Sequence, residues 1–66
     1  MIQRYSVEQI LNNHSKTGWI EIIAISPTTD SHNQWIYFIK QVILGEITAT
    51  IFDAWDTLMI DNYLLS

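Results

Sequence analysis

The stretch Gln34–Phe52, QWIYFIKQVILGEITATIF, can be folded in two ways, and the rest of the chain follows from the choice. At helical spacing Trp35, Ile36, Phe38, Ile39, Val42 and Ile43 share one arc, opposite Tyr37, Lys40 and Gln41. As a strand the same residues are apolar on both faces, and their β-branched and aromatic content favours that state. The residues that follow tip the balance. Gly45 stands first in a two-residue turn of the II′ kind, and EITATIF (46–52) alternates as a strand does. The predicted hairpin pairs Leu44 with Ile47, Val42 with Ala49 and Lys40 with Ile51. That register puts Ile36, Phe38, Val42, Leu44, Ile47 and Ile51 on a core face. The opposite face then holds Trp35, Tyr37, Ile39, Ile43 and Phe52 among Gln41, Thr48 and Thr50, more than one short helix can cover.

Upstream, GWIEIIAISP (18–27) reads as a strand closed by Pro27, with Ile20, Ile22 and Ala24 on one side and Trp19, Glu21, Ile23 and Ile25 on the other. Before it, YSVEQIL (5–11) carries a helix-start signature. Ser6 and Gln9 have capping-box spacing, and Tyr5 and Ile10 have the spacing of a hydrophobic staple. A helix is expected over 7–14. Downstream, IFDAWDTLMIDNYLLS (51–66) makes no clean strand. As a helix it gathers Ile51, Ala54, Trp55, Leu58, Met59 and Leu65 on one arc and Asp53, Asp56, Thr57 and Asp61 on the other. Thr50 and Asp53 have cap spacing for it.

The expected fold is therefore α+β: an N-terminal helix, a three-stranded antiparallel meander and an acidic C-terminal helix. The alternatives are a mostly α chain with residues 34–44 helical, or a small β-barrel-like sheet. Sixty-six residues suit one small globular domain, 1–66, near the lower limit for a self-sufficient core. Such chains need a disulfide, a metal, a partner or dense packing. Cysteine is absent, which removes disulfides and thiolate metal sites, while 48% hydrophobic residues suit packing or self-association.

Composition also narrows function. The nearly apolar run WIYFIKQVIL (35–44) is too short for a spanning helix, and the N-terminus lacks a secretory h-region, so a cytoplasmic protein is expected. Arg4, Lys16 and Lys40 balance Glu8, Glu21 and Asp30, so the net −4 falls on Glu46, Asp53, Asp56 and Asp61. No Lys or Arg cluster exists to release counterions from phosphates, so direct nucleic-acid binding is not expected. His14 and His32 stand in polar loops with no ligand spacing, and neither a metal nor a cofactor is expected. Ser31 beside His32 does not make a catalytic pair, since such pairs are spatial rather than sequential. Asp53 with Asp56, or Asp56 with Glu46, is read as a solvated edge before it is read as an acid–base pair.

What remains is a non-enzymatic interaction module of the inhibitor, immunity or antitoxin-like, or regulatory-subunit kind. Its expected contact residues are the aromatic face, Trp35, Tyr37, Ile39 and Phe52, flanked by Glu46, Asp53, Asp56 and Asp61, which would meet a basic protein surface. The rival readings are an acidic mimic of nucleic acid and a structural homodimer.

Overall fold

The computed structural model describes residues 4–13, 15 and 17–65. Four strands and one helix follow one another: β1 (Ile10–Leu11), β2 (Trp19–Ile25), β3 (Ile36–Ile43), β4 (Ala49–Asp56) and α1 (Thr57–Leu65). The strands form one open antiparallel sheet in sequence order, with β1 and β4 at its edges. This overturns the expected fold at several points. There is no helix over residues 7–13 (His14 lies outside the described residues), and the meander has four strands rather than three. Residues 36–43 are extended as the expected hairpin requires, which removes the helical alternative, and the open sheet removes the barrel-like one.

The N-terminal correction has a local cause. Gln9 N–H donates to the Ser6 carbonyl and Glu8 takes φ 72°, as in a type II turn. The Gln9 side chain still accepts from Ser6 N–H at 3.0 Å, so half of the capping box is made without a helix. Glu8 N–H then donates to the Ile22 carbonyl, and Ile22 N–H to that of Gln9. Pairing with β2 thus supplies backbone partners that a helix of barely two turns would have found within itself. A left-handed glutamate costs about 1–2 kcal/mol, and the new ladder outweighs it.

The hairpin of β3 and β4 forms, but one residue out of the expected register. Ile43 faces Ala49, Gln41 faces Ile51 and Lys40 faces Phe52, so the connection is 44–48 rather than a two-residue turn. One residue of slip exchanges the faces of β4 relative to β3. It also lets the strand run on to Asp56, through residues expected to be helical. Asp56 then caps α1, its carboxylate accepting from Met59 N–H at 2.8 Å. The helix therefore starts seven residues after Thr50.

A bulge at Ile23 corrects β2. Ile22 pairs with Ile39 and Ile25 with Tyr37, so both point to one side although they are three residues apart. Gly18 sets the approach of β2 to β3: φ is 101°, and a Cβ there would sit 1.9 Å from the Val42 carbonyl oxygen.

The core lies between α1 and one sheet face. Ile20, Ile22, Tyr37, Ile39, Ile60 and Tyr63 are buried, with Tyr5, Leu11, Ile25, Trp35, Trp55 and Leu64 packed around them. Asn13, itself buried, latches the end of α1 by donating to the Tyr63 carbonyl at 2.7 Å. Nine helical residues span about 13.5 Å, whereas eight strand residues span about 26 Å. The helix therefore covers about half of the sheet's length, and the far end of the hairpin extends beyond it.

Candidate functional site

The sheet has an inner face under α1 and an outer face away from it, and the register assigns every paired strand residue to one of them. Inner residues are Leu11, Ile20, Ile22, Ile25, Tyr37, Ile39, Gln41, Ile43, Ala49, Ile51, Asp53 and Trp55. Outer residues are Ile10, Trp19, Glu21, Ala24, Ile36, Phe38, Lys40, Val42, Thr50, Phe52, Ala54 and Asp56. No described helix or strand packs over the outer face, although Val42 on it is buried. Phe52 is 69% exposed, Ile10 62% and Phe38 46%, and the bulged Ile23 is exposed as well. Scattered apolar residues on a surface mean little; here Ile10, Phe38 and Phe52 stand on three of the paired strands of one face.

The aromatic residues expected to act together are divided between the two faces. Tyr37 and Ile39 are fully buried beneath α1, where Tyr37 meets the Tyr5 ring edge-on at 5.5 Å. A partner cannot reach them without displacing the helix. Trp35 is half-buried against the same core. Trp35 Nε1 and the Tyr37 hydroxyl are buried without a hydrogen-bond partner among the described residues. Of that set, Phe52 alone faces outward. The exposed surface instead draws on Ile10 and Phe38, expected respectively in a helix and on the core face. The aspartates of β4 were the available signal: a register that holds Asp53 at the solvent-open edge of the inner face turns Phe52 outward.

The four carboxylates are also separated, each with its own surroundings. Glu46 lies exposed in the hairpin loop. Asp53 accepts from Ala54 N–H at 2.8 Å and from Trp55 Nε1 at 3.2 Å. Asp56 caps α1. Asp61 forms an ion pair with Arg4 and accepts the Tyr5 hydroxyl at 2.6 Å. The Tyr5 hydrogen bond, aided by Arg4, holds the Asp61 carboxyl below its usual range. Burial, and then the same Asp61 bond, pushes the Tyr5 phenol up to about 12. These are fold-supporting roles, and they leave no concentrated acidic field.

Other chemistry finds little to build on. Ser31 Oγ and His32 Nδ1 stand 3.5 Å apart in an exposed turn, at the outer limit of a hydrogen bond. Asp30 organises that turn through His32 and Gln34 N–H groups, of which the Gln34 bond contributes most to lowering its pKa. Among the described residues no cluster of three or more His, Cys, Asp or Glu is placed to hold a metal ion. An open groove of about 450 Å³ lies beyond the end of α1, lined by Ser15, Thr17, Gln41, Ile43 and Tyr63. Among the described residues no helix is long and apolar enough to cross a membrane. Compared with known protein families, curated proteins and solved structures, the chain matches none.

Proposed function

We propose that this protein is a non-enzymatic interaction module that docks by its outer sheet face on a flat apolar surface of a folded protein. One observation carries the reading: an antiparallel sheet of four strands has its helix on one side only, while the other side presents Ile10, Phe38 and Phe52 to solvent. A sheet with two apolar faces needs a layer on each. The contact is apolar rather than electrostatic, because Asp56 and Asp61 are committed to the helix cap and the Arg4 ion pair. That dispersal removes support from mimicry of nucleic acid, which needs acids ranked along one surface.

Capture from an extract of the native host tests the reading, with the wild-type chain and Phe52→Asp as baits. A protein held by the wild type at high salt and lost with Phe52→Asp is expected. Equal retention by both baits, or release by salt alone, overturns the reading.

A further inference from the structure

We infer that the layer missing from the outer face is a second copy of this chain, packed sheet to sheet about a two-fold axis that runs along the strands between β2 and β3. The inference rests on the docking reading above and names its occupant. Its support is the order of residues across the sheet. One row of the outer face runs Ile10, Glu21, Lys40, Phe52. The ends are large, apolar and exposed; the middle is one acid beside one base. Neither Glu21 nor Lys40 belongs to an ion pair among the described residues.

Reversed by the two-fold, the row complements itself. Glu21 comes to face the partner's Lys40, and Ile10 comes to face the partner's Phe52. The four central charges form a square of alternating sign, neutral as a whole. A neighbouring row obeys the same rule: Phe38 meets the partner's Ala24, a larger group against a smaller one. The net charge of −4 does not oppose this contact, because three of the acids behind it lie off the face: Glu46 in the hairpin loop, Asp53 on the inner side and Asp61 on α1. Stacked sheets of this kind pack about 10 Å apart, with strands aligned to within roughly 30°.

Size sets the strength. Four strands about 4.8 Å apart and eight residues rising about 3.3 Å each give a projected footprint on the order of 400 Å². Side-chain relief enlarges the accessible area, yet the face stays near the lower limit of the roughly 800 Å² per partner found in specific interfaces. The dimer is accordingly reversible and concentration-dependent. The charge square fixes its register and orientation more than its affinity.

Sedimentation velocity from low micromolar to near-millimolar concentration tests the inference. The wild type should pass from 7.7 kDa to twice that mass. Glu21→Lys and Lys40→Glu should each weaken association about tenfold or more. The double exchange restores opposite charges both within and between chains, and should return association to within a few-fold of wild type. Circular dichroism confirms that each variant is folded. A wild type that is monomeric throughout overturns the inference, and so does a folded double exchange that fails to recover. A monomeric chain that still captures a partner through Phe52 leaves the docking reading standing and removes only the second copy. A dimer indifferent to Phe52→Asp as well as to both charge reversals uses another surface, such as the β4 edge, and sinks the inference.

Discussion

The two faces of this sheet are made from similar residues and meet different fates. The inner face has Ile20, Ile22, Tyr37 and Ile39; the outer face has Ile10, Trp19, Phe38 and Phe52. Their large apolar groups do not tell them apart, although the outer face also carries Glu21, Lys40, Thr50 and Asp56. What separates them is which side the chain turns to after Asp56, where α1 lays Ile60 and Tyr63 over one face. Burial is therefore a property of topology as much as of residue type. A small domain with one helix to spend can cover one face and must leave the other for solvent or a partner.

The sharpest way to break this comparison is to place a charge on each side in turn. Ile39 is 1% exposed at the centre of the core, so Ile39→Asp buries a carboxylate with no partner. The expected loss is about 4 kcal/mol or more, against a total stability of about 3–10 kcal/mol for a chain this short. Ile39→Asp should therefore be unfolded by circular dichroism at room temperature. Phe52→Asp, on the opposite face and 69% exposed, should stay within about 0.5 kcal/mol of wild type in urea denaturation at dilute concentration. Comparable losses at the two positions would show that both faces are core in solution.

Much of this distinction was hidden from sequence reasoning, for identifiable reasons. The strand at Trp19–Ile25 was legible because it is β-branched and closed by Pro27. The hairpin was legible because Gly45 and the alternation of 46–52 agree. Its register was not, because a five-residue connection and a two-residue turn differ by one residue of slip, and that slip exchanges the faces of β4 relative to β3. The face of β3 itself misled, since Phe38 is as apolar as Tyr37 and Ile39 and only α1 decides between them. At Ser6–Gln9 the local signal was genuine, and part of its bonding is present. Pairing with β2, some thirteen residues away, outweighed it. At the site, Phe52 alone among the expected aromatic contacts faces outward, while the Glu21–Lys40 pair becomes visible only when the strands are aligned.

A second way to sharpen the contrast is to loosen the helix that creates it. Asn13 donates to the Tyr63 carbonyl in the last turn of α1, and its oxygen accepts Ser15 N–H and Oγ at 2.8 and 2.7 Å. Asn13→Asp keeps the acceptor, removes the donor and sets a carboxylate against the negative end of the helix dipole. It should cost about 2 kcal/mol, more than Asn13→Ser, with the loss read from the urea midpoint. It should also speed hydrogen exchange of Ile20, Ile22 and Ile39 amides while leaving outer-face reactivity unchanged. Uniform acceleration across the chain would mean that α1 and the sheet unfold as one unit, and the inner face would then have no separate dependence on the latch.

A smaller effect than that of the latch concerns the other tie between helix and N-terminus, and it varies with pH. Asp61 is held ionised by the Tyr5 hydroxyl and Arg4, so its pKa is lowered in the folded chain. A lowered carboxyl stabilises the fold above its ordinary value of about 3.9 and loses that contribution as the pH falls through the folded value. Tyr5 is the converse case. Its phenol is raised to about 12, so its contribution is full below the ordinary value and disappears as the pH rises toward 12. The Arg4 side chain is 56% exposed, and solvent screens its part of the cluster. Asp61→Asn should therefore cost only about 1 kcal/mol at neutral pH. Tyr5→Phe should flatten part of the alkaline slope, with the remainder left to Tyr63, whose phenol burial also raises. Urea titrations of wild type, Asp61→Asn and Tyr5→Phe at acid, neutral and alkaline pH measure both limbs. Parallel curves for all three proteins would show that this cluster is open to water like the outer face, and that the core alone holds α1 in place.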